Sequence, residues 1–151
     1  MNRPEENKVC IRCGTDLVEI ARIEKAAERL GSSFLDRLFT AGEQADCLAG
    51  GRSARQAAAS FAVRFAAKEA VAKALGTGIW REGIGWTDIA VRRAAGAEPE
   101  IVLSGAALAR FQTLGGYSIS ISLSHEHHLA MAFCVLACQP IRARETPHAQ
   151  P

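Results

Sequence analysis

No run of apolar residues in this 151-residue sequence approaches the roughly 20 that a helix needs to cross a bilayer, which argues against a membrane-spanning chain. The opening residues do not have the pattern of a secretory signal, so a soluble, cytoplasmic protein is expected. Eighteen lysines and arginines face 16 aspartates and glutamates. The resulting net charge of +2 is too small for bulk electrostatics to hold nucleic acid. No internal repeat and no shift in composition marks a second domain, and the length suits a single core. The Gly-x4-Gly-Lys-Ser/Thr phosphate loop is missing, and no proline interrupts residues 53–75.

That proline-free stretch predicts a long helix. Ser53 can cap its start while Gln56 reaches back, and Gly76 closes it. Thr40 and Glu43 form a second capping box, opening a short helix. An apolar-leaning run at residues 9–13 predicts a first strand, with Asp16 placed just past Gly14 where the strand leaves its sheet. A helix over residues 19–30 would turn Ile20, Ile23, Ala27 and Leu30 inward and Arg22, Lys25 and Arg29 outward. Strands are expected at 86–93 and 99–103, a helix at 105–114, and a hairpin from strands 117–124 and 129–137. Gly50-Gly51 and Gly115-Gly116 mark turns. The sum is an α+β domain over residues 9–138, with disordered tails at 1–8 and 139–151. The last two strands are apolar enough that another subunit is expected to cover an edge.

Chemistry concentrates at two places. On the long helix Phe61, Phe65, Glu69 and Lys73 follow one another at i, i+4 spacing, so a carboxylate continues an aromatic stripe and is half solvated. Burial would raise its pKa, and a cation or the Lys73 ammonium would lower it, which suits a ligand or base near neutral pH. The plainer reading is a Glu69 to Lys73 surface ion pair. Asp16 and Glu69 could together hold Mg2+, a hard cation that takes one or two carboxylates and leaves positions for water and phosphate. At the helical period Lys68 lies about 100° round from Glu69 and, with Arg64 one turn earlier, would make a basic strip for phosphate oxygens. Gly76-Thr77-Gly78 follows a helix, whose C-terminal end repels phosphate unless basic groups offset it. Gly76 therefore reads first as a helix terminator.

His125, His127 and His128 fall in a hairpin turn, which is more often solvated than metal-binding. Cys10 and Cys13 have zinc-ribbon spacing, but positions three apart on a strand face opposite sides. The five cysteines are read as buried, reduced thiols.

Several segments, in order, carry a resemblance: Gly14-x-Asp16-Leu17-Val18-Glu19-Ile20-x-Arg22-Ile23, then Phe61-Ala62-Val63-Arg64-Phe65-Ala66-Ala67-Lys68-Glu69-Ala70-Val71-Ala72-Lys73-Ala74-Leu75-Gly76-Thr77-Gly78, then Asp88-Ile89, Leu103-Ser104-Gly105-Ala106-Ala107 and Ser120-Ile121-Ser122-Leu123-Ser124-His125. Over residues 9–138 the chain resembles the holo-acyl-carrier-protein synthases, the small trimeric class of 4′-phosphopantetheinyl transferases. The resemblance implies an antiparallel sheet wrapping one long helix, and a homotrimer with active sites between neighbours. It implies Mg2+-dependent transfer of the phosphopantetheine arm of coenzyme A to a serine of apo acyl carrier protein, for fatty acid biosynthesis, releasing 3′,5′-ADP. A transferase dedicated to a polyketide or secondary-metabolite carrier is the alternative, and a silent carrier-binding subunit a more distant one.

Residue by residue, the resemblance assigns Asp16 and Glu69 to the metal, and Glu69 to proton removal from the serine. Lys73 would act on the leaving phosphate and His125 would orient the nucleophile or a metal-bound water. Arg64, Lys68, Gly76, Thr77 and Gly78 would line the coenzyme A site, and Arg22 would lead Lys25 and Arg29 in docking the acidic carrier helix. The sequence departs from the family where Glu98 precedes Pro99 in place of the usual glycine. Arg52 and Arg55 are the candidates for the coenzyme 3′-phosphate.

Overall fold

A computed structural model describes residues 9–94 and 96–139. The expected tails lie outside these residues except for Gln139, whose N–H donates to Gly115 O at 2.9 Å.

One helix organises the domain. α4 (Ala54–Leu75) starts at the expected capping box, with Ser53 and Gln56 exchanging hydrogen bonds, and stops at Gly76 in the left-handed conformation. Ten of its 22 residues are alanine, so neighbours can come close on every side. β1 (Cys10–Glu19) lies directly on it. The contact depends on Gly14, where a Cβ would stand 2.0 Å from Ala70 O and 2.8 Å from Ala74 N.

β1 is an edge strand of an antiparallel sheet ordered β1-β5-β4, with β4 spanning Gly116–Glu126 and β5 Leu129–Cys138. The expected hairpin turn is present but shorter: only His127, at φ 50°, and His128 lie between β4 and β5, while His125, expected in the turn, lies inside β4 and pairs with Ala130. Alternation sorts the side chains. Arg12, Gly14, Asp16 and Val18 of β1 face α4 with Ala130, Ala132, Cys134 and Leu136 of β5, while Ile11, Leu17, Met131 and Phe133 are exposed on the other face.

The other side of α4 is covered by α1 (Ile20–Leu30), α3 (Ala41–Leu48) and β2 (Ile89–Arg92), which forms a separate ribbon with β3 (Glu100–Leu103), while α2 (Ser32–Leu38) packs beside α1. α5 (Gly105–Thr113) leads into β4. Phe39, Leu75, Ile84 and Ile89 are fully buried, each contributing roughly 1.5–3 kcal/mol of apolar transfer.

Four expectations change. β1 does not end at Gly14 but runs to Glu19, because the glycine serves close packing rather than a turn. β2 begins at Ile89 rather than residue 86, since Asp88 Oδ2 accepts the Gly85 N–H at 3.0 Å and holds residues 86–88 in a 3-10 turn. α2 had no expected counterpart. Leu30 is 50% exposed at the end of α1, where Gly31 breaks the helix before the apolar face is complete.

Candidate active site

Asp16 sits in mid-strand, opposite Ala132 of β5 and facing α4. The close approach at Gly14 brings it to the helix at Lys73, whose ammonium donates to Asp16 Oδ1 at 2.8 Å and to Thr15 O at 2.7 Å. Glu69 lies one turn earlier and is half-buried. Burial first, then the Asp16 charge, pushes its carboxyl above the ordinary value of 4.5, while Lys73 and Arg22 pull it back. Asp16, Glu69, Lys73 and Arg22 therefore share one electrostatic neighbourhood. Lys73 pairs with Asp16 rather than Glu69, which replaces the simple i, i+4 surface pair.

A second cluster lines a cleft of about 790 Å³ containing Arg52, Arg55, Arg64, Arg93, His125 and His127. Arg64 is only 8% exposed and donates to Ser60 Oγ at 2.7 Å and Asp46 Oδ2 at 3.4 Å, leaving its Nε buried without a partner. Three further guanidinium groups and such an orphan donor suit a polyanion. Pro99, next to the unusual Glu98, also lines this space. None of Asp16, Glu69 and Lys73 does. The separation has a topological cause: Asp16 belongs to the β1 edge of the sheet and His125 to the β4 edge. Asp16 is level with Leu123 across the sheet, so the backbones of Asp16 and His125 are roughly 12 Å apart from strand spacing and rise.

The glycine loop after α4 is arranged differently again. Arg12 Nε donates to Ala74 O at 2.7 Å and Arg110 Nε to Leu75 O at 3.1 Å, so two cations offset the negative helix end. Thr77 Oγ1 is buried without a partner in the same loop.

A family model for the 4′-phosphopantetheinyl transferase superfamily matches residues 12–134. Among similar chains, the holo-[acyl-carrier-protein] synthase of Gloeobacter violaceus is 50% identical over 121 residues, 80% of this chain and 88% of that protein. That of Bradyrhizobium diazoefficiens is 43% identical over 87% of this chain and 96% of its own. The chain belongs to the holo-acyl-carrier-protein synthase family. The Helicobacter pylori family member, solved in complex with coenzyme A, superposes with a TM-score of 0.70 at 35% identity, covering 82% of this chain and 98% of that one. A Plasmodium yoelii acyl carrier protein synthase with ADP bound gives 0.75 at 26% identity, covering 87% and 98%.

Within this synthase, Lys68 is not where the sequence suggested. It is fully buried, and its ammonium donates to Glu43 Oε2 at 2.8 Å, Trp86 O at 3.0 Å and Ile89 O at 2.6 Å. Burial pushes its pKa down and the Glu43 carboxylate resists that. With all three donors occupied, it ties α3 and β2 to α4 and has nothing left for phosphate. Its place seven residues after Phe61 and three after Phe65, on the buried stripe, was the available signal. Arg93, by contrast, escaped notice because only tertiary folding brings it to the cleft.

Arg22, Lys25 and Arg29 are all exposed on α1, which is anchored by Ile20 and Ile23. The Ile20 N–H donates to His128 O at 2.8 Å, fixing the start of that helix to the hairpin turn. Of the five free thiols, Cys47, Cys134 and Cys138 are buried, whereas Cys10 and Cys13 are exposed at the start of β1, contrary to the expectation that all would be enclosed.

Proposed function

We propose that Asp16, Glu69 and Lys73 form the reacting half of the site, and that the arginine cleft receives the nucleotide end of coenzyme A. As a holo-acyl-carrier-protein synthase, the chain transfers 4′-phosphopantetheine from coenzyme A to apo acyl carrier protein in fatty acid biosynthesis. The observation that carries the site assignment is the convergence of two carboxylates and one ammonium where β1 crosses α4.

Two carboxylates that repel one another, with no third His, Cys, Asp or Glu grouped beside them among the described residues, fit Mg2+ better than a metal needing a full protein cage. When bound by Asp16 and Glu69, the ion supplies Lewis-acid neutralisation of the coenzyme A pyrophosphate. The protein's own groups do the rest. Glu69, whose carboxyl pKa is raised above its ordinary value by burial and the Asp16 charge, accepts the proton of the carrier serine. The serine oxygen then bonds to the phosphorus bearing pantetheine as the pyrophosphate P–O bond breaks and 3′,5′-ADP leaves. Lys73, free to move from Asp16, meets the departing phosphate as a point charge. Arg22 is within electrostatic reach of Glu69. A carrier protein docked on Arg22, Lys25 and Arg29 through an acidic helix would thus present its serine near the carboxylates.

His125 is a cleft residue in this arrangement, placed to meet the nucleotide end together with Arg55 and Arg64 rather than the nucleophile of its own chain. The two clusters lie at opposite edges of one sheet, and the exposed Ile11, Leu17, Met131 and Phe133 leave its outer face apolar. A closed head-to-tail trimer would bring the β1 edge of one copy to the β4 edge of the next and complete a site at each border.

The experiment is intact-mass analysis of apo acyl carrier protein incubated with the protein, coenzyme A and Mg2+. A gain of one phosphopantetheinyl group is expected, lost with Asp16→Ala or with a chelator; transfer that survives both would remove the metal assignment.

A further inference from the structure

Cys10 and Cys138 face one another directly across the β1–β5 pairing. Both occupy positions in register with the α4-facing rows, so their side chains emerge on the same side of the sheet. Directly opposed residues in an antiparallel pair have Cα atoms about 4.5–5.5 Å apart, inside the window of about 4.4–6.8 Å that a disulfide spans. The Cys138 thiol donates to Cys10 O at 3.3 Å, which shows how closely it approaches the opposing residue. Cys10 is exposed and Cys138 is buried.

No other pair among the five cysteines has this relation. Cys13 is three residues along β1, roughly 10 Å away and on the opposite face, so the Cys-x2-Cys spacing cannot close on itself without breaking the strand. Cys134 lies opposite Gly14, and Cys47 belongs to α3.

We propose that Cys10 and Cys138 form a thiol modification site that takes a small-molecule disulfide, glutathione disulfide being the type, and converts it into an intramolecular cross-strand disulfide. The exposed Cys10 thiolate attacks one sulfur of the small disulfide and forms a mixed disulfide, releasing one thiolate, which takes up a proton. Cys138 then loses its proton and its sulfur attacks Cys10 Sγ, forming the protein bond and expelling the second small thiol. Two protein thiols are oxidised and one small disulfide is reduced to two thiols. The exposures divide the roles: Cys10 is the entry thiol and Cys138 the resolving one. The bond would join the beginning of the first strand to the end of the last and close almost the whole domain into one loop, the arrangement in which a cross-link constrains the unfolded chain most.

The test uses the full, reduced chain treated with excess glutathione disulfide, then alkylation of remaining thiols and peptide mass mapping. The expected product is a peptide pair linked through Cys10 and Cys138, with Cys138→Ser instead retaining glutathione on Cys10. Oxidised wild type should also melt several degrees higher than reduced, reverting with dithiothreitol, and Cys10→Ser should show no such shift. A stable glutathione adduct on Cys10 of the wild type, or a Cys10 to Cys13 link in its place, would overturn the proposal.

Discussion

Lys68 and Lys73 stand five residues apart on α4, and each holds one carboxylate oxygen at 2.8 Å, yet the two pairs have opposite meanings. The Lys68 and Glu43 side chains are 0% and 2% exposed; those of Lys73 and Asp16 are 48% and 18% exposed. In the first pair every donor is used, and Glu43 Oε1 also accepts the Val91 N–H at 3.0 Å, so the pair is closed to any ligand. In the second, the ammonium can leave for solvent or phosphate, and Glu69 stands beside it with a proton affinity already raised. Distance alone does not separate structure from chemistry. The capacity to exchange partners does.

The contrast can be broken most forcefully at the lysines. Lys68→Ala would leave Glu43 as an uncompensated buried charge and should cost about 3–5 kcal/mol in denaturant unfolding. Lys73→Ala should cost less than about 1 kcal/mol, while transfer falls on the order of 100-fold. Equal losses of stability in the two variants would end the distinction. Next in size, Gly14→Ala places a methyl 2.0 Å from Ala70 O. A destabilisation of about 1–3 kcal/mol is expected by thermal melting, together with reduced transfer as β1 is pushed from α4 and Asp16 from Glu69.

A smaller effect sharpens the electrostatic side. In metal-free protein the Glu69 carboxyl should titrate above 4.5 by NMR, lower in Asp16→Asn and higher in Lys73→Met. Because the folded state binds this proton more tightly than the unfolded one, the group's contribution to stability declines as pH rises from the unfolded value through the folded one, and Asp16→Asn should flatten that decline. Smallest in structural terms is Arg22→Glu, which should leave unfolding within about 0.5 kcal/mol of wild type. It should raise KM for the carrier protein with coenzyme A affinity unchanged; parallel loss of both would place Arg22 in the coenzyme site instead.

What could be read from the sequence was local. Both capping boxes, the Gly76 stop and a hairpin turn among the histidines depend on residues within a few positions of each other, and all four are found, the turn narrowed to His127 and His128. The Asp16, Glu69 and Lys73 grouping was anticipated only because the family resemblance stood in for tertiary folding. Where partners are distant and no motif speaks for them, the reading failed. Lys68 looked like a surface cation because Glu43, 25 residues earlier, was invisible to it. Gly14 looked like a strand end because its partner is the backbone of a helix 56 residues on. The arginine cleft draws on α4, the segment after β2 and the end of β4 at once, and its edge-to-edge separation from Asp16 follows from strand order alone.

That separation is the account's central claim, and subunit mixing tests it most directly. Asp16→Ala removes a carboxylate of the proposed reacting half, and the double variant Arg55→Glu with Arg93→Glu reverses the exposed charge of the cleft without touching buried Arg64. Each variant assembled alone should be nearly inactive. If neighbouring copies share each site, unfolding and reassembling the two together in equal amounts should restore about a quarter of wild-type transfer, because one border in four then combines an intact carboxylate cluster with an intact cleft. Activity no higher than the parents, from mixed trimers shown to have formed, would mean that one chain supplies both halves and would contradict the account.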